Sequence, residues 1–350
     1  MRDGFGREID YMRISVIDSC NLNCYYCNPC DNNEHCHALN ILSVKEVLCI
    51  VRAATRLGIK HFRLTGGEPL LHPQLDEMVL QIKKIPGVSS VSLTTNAVLL
   101  AQHAKWLKEA GIDSINVSLD TIDASEYERI TKKPLLEEVK HGINAAIECG
   151  IRVKINVVLT PQTDVVALTR YVAKKGTDIR FIEMMPVGEG HTNGVEPYKK
   201  VIGTLSKLYG EPCRINTEKT KEINSGNDKR KIPDNGPAEY YIFPELGIRV
   251  GLIQAIHGKF CATCNRIRVT ADGRLMPCLG SSVTMDLVPD SCEFTDDLEK
   301  DFVIVQALKA AIKAKPGCHN FNDNAVTYTK TTELKAAEVN AARNMSRIGG

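Results

Sequence analysis

Met12-Arg-Ile-Ser-Val-Ile-Asp-Ser-Cys20-Asn-Leu-Asn-Cys24-Tyr-Tyr-Cys27 is an apolar run that reads as a strand, followed at once by three cysteines with three and then two residues between them. Three thiolates fill three of the four ligand positions of a soft metal centre. A four-iron cluster held by three cysteines keeps one iron open to a ligand from outside the chain, whereas structural zinc closes its site with four ligands. Zinc, or a disulfide pair with a spare thiol, is the alternative, although C-x3-C-x2-C is not a usual zinc spacing.

Outward from this stretch the chain alternates. The strand at Met12 to Ile17 precedes Ser43-Val-Lys-Glu46, a capping box, after which Val44, Val47, Leu48, Val51, Ala54 and Leu57 recur at helical spacing. Strands then read at His61 to Leu64, Val88 to Leu93, Ser114 to Val117, Val153 to Leu159 and Asp178 to Ile182. Helices read between them at Leu75 to Ile85, Gln102 to Ala110, Leu135 to Cys149 and Val165 to Lys174. This rhythm predicts an α/β fold of parallel strands joined by right-handed helical crossovers. Polar motifs fall at the strand ends: the cysteines, Thr65-Gly-Gly-Glu-Pro69, Thr94-Thr-Asn96, Ser118-Leu-Asp120 and Glu183-Met-Met185. In a barrel those ends meet at one mouth, and six units instead of eight predict a partial barrel, open on one side.

After about residue 200 the pattern changes, so the expected division is 1–200 and 201–350. A helical pattern at Tyr198 to Leu208 leads into Thr217 to Pro237, a polar mixed-charge stretch read as a loop. Short strands follow at Tyr240 to Phe243, Ile248 to Ala255 and Arg266 to Thr270, the last joined through Ala271-Asp-Gly273 to Arg274 to Pro277 as a hairpin. A helix is predicted at Leu298 to Lys313, then a polar tail.

With 43% hydrophobic and 25% charged residues and a formal charge of +2, the 350-residue chain reads as an ordinary globular protein. Near-balance of charge gives no sign of nucleic acid, so any anion site must be local. No apolar run reaches the roughly twenty residues of a membrane span, and the first residues lack a signal peptide's apolar core. A cytoplasmic protein is expected. Thirteen cysteines in two tight groups with others scattered fit metal sites better than a secreted disulfide scaffold.

The second group is Cys261-Ala-Thr-Cys264 before the hairpin and Cys278 after it. A tight hairpin returns the chain to its start, which brings the third cysteine beside the first two. A zinc site completed by His257 is the alternative, and a zinc-binding interaction protein is the corresponding non-enzymatic reading. Arg266 and Arg268 share one strand face next to Cys264 and suit phosphate or carboxylate. Gly66 and Gly67 permit close approach of a ligand to the backbone.

These motifs, with Arg63-Leu-Thr-Gly-Gly-Glu-Pro, Leu93-Thr-Thr-Asn, Asn116-Val-Ser-Leu-Asp, Lys154-Ile-Asn, Arg180-Phe-Ile-Glu, Gly236-Pro-Ala, Phe260-Cys-Ala-Thr-Cys-Asn-Arg-Ile-Arg and the terminal Met345-Ser-Arg-Ile-Gly-Gly350, cover nearly the whole chain. The sequence resembles the GTP 3′,8-cyclase family of molybdenum-cofactor biosynthesis, radical S-adenosylmethionine (SAM) enzymes with a second cluster for substrate. The resemblance implies a partial (β/α)6 TIM-like radical SAM barrel and a C-terminal α+β region carrying the auxiliary cluster. It implies two [4Fe–4S] clusters, at Cys20, Cys24 and Cys27 and at Cys261, Cys264 and Cys278. It implies SAM bound by Tyr26, Gly66, Gly67, Glu68, Ser118 and Met185, and GTP bound by Arg13, Arg63, Thr94, Lys154, Arg180, Arg266, Ile267 and Arg268. Gly349 and Gly350 enter the catalytic cavity in this family and join Arg266 and Arg268 as catalytic residues. The implied activity removes hydrogen from C3′ of GTP by a 5′-deoxyadenosyl radical and joins C3′ to guanine C8.

Further implications are an electron donor such as flavodoxin or ferredoxin, delivery of product to the cyclic pyranopterin monophosphate synthase, and a monomer or homodimer without nucleic acid or membrane. A radical SAM enzyme acting on a peptide or another nucleotide is the nearest rival. The chain departs from the family pattern at Ser19, Asn28, His61, His72, Glu239 and Gly280, and Cys30 and Cys36 are extra.

Overall fold

The lumen of this fold is set by which face of each strand is polar. The structure is a computed structural model, and it describes residues 1–27, 40–187, 195–215, 236–281, 284–287, 297–319 and 321. Strands β1 (Tyr11–Ser15), β2 (His61–Thr65), β3 (Ser90–Thr95), β4 (Ser114–Ser118), β5 (Val153–Val158) and β6 (Asp178–Ile182) pair in chain order, all parallel. Their apolar residues, such as Met12, Ile14, Phe62, Leu64, Val91, Leu93, Ile115, Val117, Ile155 and Phe181, are fully buried in one core cluster. The alternate residues, such as Arg13, Arg63, Ser92, Asn116, Lys154 and Arg180, line a cavity on the other face. Strand periodicity of two thus yields a barrel with an apolar outside, covered by helices, and a polar inside.

The covering helices are α1 (Val44–Arg56), α2 (Leu75–Lys83), α3 (Leu100–Glu109), α4 (Ala124–Thr131), α5 (Leu136–Glu148) and α6 (Val165–Lys174). Helix α1 starts as its sequence predicts: the Ser43 amide donates to Glu46 Oε2 at 2.8 Å and the Glu46 amide donates to Ser43 Oγ at 3.3 Å. Helix α4 has no counterpart in the sequence reading. It is eight residues long, capped by Asp123 at the Glu126 amide (2.8 Å), and buries only Tyr127, Ile130 and Thr131, too few positions to show a period.

The C-terminal part is continuous with the same sheet. After α7 (Gly203–Tyr209), strands β7 (Cys213–Ile215), β8 (Glu239–Ile242) and β9 (Arg249–Ile253) extend one edge, β9 lying parallel to β6. Strand β10 (Arg266–Val269) then pairs parallel to β1 at the opposite edge, followed by antiparallel β11 (Arg274–Met276) and β12 (Met285–Asp286). The order is β12-β11-β10-β1-β2-β3-β4-β5-β6-β9-β8-β7, a twelve-stranded sheet. A division near residue 200 is therefore one of chain order, and the sheet runs through it. Because β9 ends beside Ile182 and β10 starts beside Tyr11, residues 254–265 cross the gap between the two edges and descend from the upper to the lower end of the barrel. Helix α8 (Asp297–Lys313) packs on α1. Among the described residues no helix is long and apolar enough to cross a membrane.

The first ten residues fasten this crossing. Arg7 Nε pairs with the buried Asp3 carboxylate at 2.6 Å, and its other nitrogens donate to Cys261 O (2.8 Å), Pro316 O (2.6 Å) and Gly317 O (3.0 Å). Burial pushes the Asp3 carboxyl up, but Arg7 and the Phe5 and Arg7 amides outweigh it and hold it below its ordinary value. Arg7→Met leaves a buried carboxylate and three carbonyls without their donor. It is expected to lower unfolding free energy by about 3–5 kcal/mol, read from urea denaturation of the metal-free chain.

Candidate active site

The upper end of the barrel is built around the loop that follows β1. The chain after β2 supports it through main-chain bonds: the Gly67 amide donates to Ile17 O (2.8 Å) and the Glu68 amide to Ser19 O (2.7 Å). A Cβ at residue 66 would stand 2.2 Å from Ile17 O, with φ at +153°, and one at residue 67 would stand 2.1 Å from Ser19 O. The two glycines are thus required by the protein's own cysteine loop, whatever ligand also approaches them. Both line the cavity.

The Glu68 carboxylate is engaged inside the protein. It accepts from Thr95 Oγ1 (2.6 Å), the Asn96 amide (2.7 Å) and the Leu70 amide (3.1 Å), and Glu68 is 1% exposed. Burial raises its pKa to about 7 even against those donors. Both oxygens are occupied, and Glu68 does not line the cavity. Through it the end of β3 is fixed, and Asn96 Nδ2 donates to Asn21 Oδ1 (2.7 Å) inside the cysteine loop. On the far side Tyr26 OH donates to Asp120 (2.5 Å), whose other oxygen accepts from the Val158 amide (2.7 Å). Burial lifts Asp120 to about 6. The end of α4 completes the frame, with Thr131 O and Ile130 O accepting from the Asn23 and Tyr25 amides at 3.0 and 3.2 Å.

Within that frame Cys20, Cys24 and Cys27 line the cavity with Tyr26, Ser118 and Met185. Burial pushes the Cys20 thiol to about 12 and Cys27 to about 11, with Glu68 and Asp120 adding to the respective shifts, and Cys24 moves up as well. Three half-buried thiols that together resist ionisation are stabilised as thiolates when a cation offsets the desolvation, which is what an iron–sulfur cluster supplies. The donor set fits that group. Among the described residues no three His, Cys, Asp or Glu converge as ligands of one ion would.

The middle of the lumen is cationic. Arg13, Arg63, Arg152, Lys154, Arg180, Arg266, Arg268 and Lys315 line the cavity against the carboxylates of Asp113 and Asp120. The net charge of +2 conceals this concentration. Arg63 is braced by Tyr11 OH (2.5 Å), Leu93 O (3.2 Å) and Thr94 Oγ1 (3.4 Å), and Arg180 Nε donates to Asn156 Oδ1 (2.9 Å). Arg13 Nε and Arg266 Nε are buried without a hydrogen-bond partner among the described residues. Burial, and then Arg268, hold Arg13 well below its ordinary value; burial, and then Arg266, bring Arg268 to about 10. Like charges depressing one another in this way call for a polyanion. Ile267, expected to touch substrate, occupies the alternate face of β10 and is 1% exposed in the apolar core, so its side chain does not reach the cavity.

The lower end holds Cys261, Cys264 and Cys278, all lining the same cavity. The hairpin of β10 and β11, turned at Gly273 (φ +78°), returns Cys278 to the other two as its spacing predicts. Burial raises the Cys264 thiol, yet Arg266 and Lys315 outweigh it and bring the pKa below its ordinary value. His257 is not a fourth ligand of this set. Its Nδ1 meets Glu183, whose carboxylate also accepts from the Ile256 amide (2.7 Å), and the imidazole does not line the cavity. The two cysteine sets stand at opposite ends of the barrel, an arrangement hidden in sequence because it depends on β9 and β10 taking opposite edges.

The comparisons agree with this geometry. The model of the Radical SAM superfamily matches residues 14–167, and that of Molybdenum Cofactor Synthesis C matches residues 177–321. A Clostridium perfringens protein named GTP 3′,8-cyclase is 36% identical over 92% of this chain and 95% of its own. Proteins of that name from Petrotoga mobilis and Listeria monocytogenes are each 34% identical over 100% of this chain and 100% and 99% of theirs. The chain belongs to the GTP 3′,8-cyclase family. Among solved structures, Streptococcus suis SuiB bound to S-adenosylmethionine superposes with a TM-score of 0.53 at 15% identity over 86% of this chain and 66% of that one. Native anSMEcpe with bound AdoMet gives 0.52 at 18% over 77% and 74%. Both share the fold, which is a radical SAM partial barrel.

Several departures from the GTP 3′,8-cyclase pattern have physical accounts. His61 stacks on Tyr11 (6.4 Å between rings) and bonds Ser90 Oγ through Nδ1 (2.8 Å); burial lowers its pKa. Glu239 pairs with Arg214 at 2.7 Å on an exposed part of the sheet. His72 is buried, with Nε2 at Leu42 O (2.9 Å) and Nδ1 accepting from the Gln74 amide (3.1 Å). At Gly280 a Cβ would stand 2.8 Å from His319 Cβ and 3.0 Å from the Phe321 ring, so the aromatic wall here comes from Phe321. Asn28, Cys30, Cys36, Gly349, Gly350 and nearly all of the Thr217 to Pro237 stretch lie outside the described residues. Gly67→Ala forces a Cβ into Ser19 O; after anaerobic reconstitution it is expected to bind about four irons per chain where the unaltered protein binds about eight, counted by iron analysis.

Proposed function

We propose that this protein converts GTP to (8S)-3′,8-cyclo-7,8-dihydroguanosine 5′-triphosphate in molybdenum-cofactor biosynthesis. The observation that carries the reading is the cationic lumen, with eight cations against two carboxylates, between two three-cysteine sets. A triphosphate is the small polyanion that such a lumen would neutralise. Cys20, Cys24 and Cys27 would hold one [4Fe–4S] cluster, with SAM against Tyr26, Gly66, Gly67, Ser118 and Met185; Cys261, Cys264 and Cys278 would hold the other. When bound, these groups supply the one-electron cleavage of SAM that allows hydrogen to be taken from C3′.

What the chain itself does is position and shield. Arg13, Arg63, Lys154, Arg180, Arg266 and Arg268 hold the triphosphate and fix ribose C3′ against guanine C8, with Thr94 steadying Arg63. Glu68 and Asp120 hold the upper loop in register. The walls of the lumen shield carbon radicals from water. In the same reading, Gly349 and Gly350 take part in catalysis. A flavodoxin or ferredoxin supplies electrons and the cyclic pyranopterin monophosphate synthase takes the product. The protein works as a cytoplasmic monomer or homodimer, and residues 1–200 and 201–350 divide the SAM and auxiliary-cluster roles. A peptide substrate is disfavoured, having no use for so many cations.

Anaerobic incubation with GTP, SAM and dithionite should yield 5′-deoxyadenosine and the cyclised nucleotide; deoxyadenosine formed with GTP untouched would overturn the substrate assignment. Arg268→Met is expected to lower kcat/KM for GTP by about 10–100-fold, the loss of one charge-assisted bond. Burial moves His61 below its ordinary value, which favours the neutral imidazole and argues against its serving as a charge for the triphosphate. GTP affinity should be flat from about pH 7 to 8 and unchanged in His61→Gln, read by equilibrium binding.

A further inference from the structure

Lys315 stands at the lower cysteine set with an ammonium that no carboxylate meets among the described residues. It follows α8, is 3% exposed, and lines the cavity with Cys261, Cys264 and Cys278. Its Nζ donates to Pro277 O at 2.8 Å, one residue before Cys278, and its charge acts on the Cys264 thiol, which lines the same cavity. Its place is fixed from both sides. Arg7 holds Pro316 O and Gly317 O together with Cys261 O, and His319 Nε2 bonds Ala255 O (2.8 Å) at the head of the crossing segment. Residues 315–319 thus form a strap that ties the lysine to the segments carrying all three cysteines.

A buried ammonium without a counter-ion is costly, so the compensating charge must sit on the group it faces. Arg266 and Arg268 point the same way but are assigned to the nucleotide in the reading above, and Arg266 is stacked on Phe260 (5.0 Å). We propose that Lys315 is a positioning residue for the second cluster, supplying the counter-charge for its thiolates while aligning Cys264 with Cys278. This rests on reading Cys261, Cys264 and Cys278 as ligands of that cluster. A fixed positive charge beside a cluster favours its reduced state, and hydrogen bonds to sulfur act in the same direction.

The test is an anaerobic redox titration of the reconstituted full-length chain, followed by electron paramagnetic resonance, with iron counted in parallel. Lys315→Gln removes the charge and can still donate to Pro277 O; Lys315→Met removes both. Both variants are expected to shift the second cluster's midpoint to more negative potential, or to lose its iron outright, while the SAM-sensitive signal of the first cluster persists. A shift in the methionine variant alone would mean that Lys315 acts only through the Pro277 bond, and overturns the counter-charge. Unchanged midpoints in both, or equal loss from both clusters, overturn it as well. About four irons in the unaltered chain would instead overturn the cluster reading on which the proposal rests.

Discussion

Guanidinium and ammonium groups enclosed in one lumen repel one another, and the structure is arranged to withstand that repulsion. Arg13 loses basicity to burial and then to Arg268, and Arg268 to burial and then to Arg266. Their backbones cannot retreat, because Met12, Ile14 and Ile267 on the alternate face are locked in the apolar core. The core fixes the strands, and the strands fix the charges. An interior of this kind is stable only while apolar packing outside exceeds electrostatic strain inside, and it is relieved by an anion. Affinity for a polyanion is therefore a property of the fold before it is a property of any one arginine.

That constraint also accounts for what could be read from the chain alone. The order β1 to β6 was legible because each strand is followed by a helix of clear period, and a parallel sheet built that way has few alternatives. The pairing of Arg266 with Arg268 on one face was legible from the period of two. The glycines at 66 and 67 were legible as a close approach, but the approaching group is Ser19 and Ile17 of the same chain. The side chain of Ile267 lies in the core because the period of two turns it away from the face that Arg266 and Arg268 share. The internal bonds of the Glu68 carboxylate were not legible, because Thr95 and the Asn96 amide reach it from a strand distant in sequence.

The edges of the sheet were not legible at all. Strands β9 and β10 are five and four residues long and separated by a short connection, which in sequence suggests neighbours. They lie at opposite edges because β6 and β1 each present an unpaired side that only a parallel strand of matching face can cover. Covering both edges sends the connection through the gap, and the gap places Cys261 and Cys264 at the lower end of the barrel.

From this follows the role of the chain ends. A segment that crosses an open barrel has no sheet to hold its backbone, so its carbonyls and turns must find partners elsewhere. Arg7 takes Cys261 O, Glu183 takes the Ile256 amide, and His319 takes Ala255 O. Each donor or acceptor comes from a different part of the chain. The lower cysteine set is complete only when the N-terminus, β6 and the residues after α8 are in place together. The upper set needs only consecutive βα units and the turn of α4. The two ends of one lumen thus differ in origin: one is assembled locally by the alternating chain, the other by long-range closure, and the cations between them are shared by both.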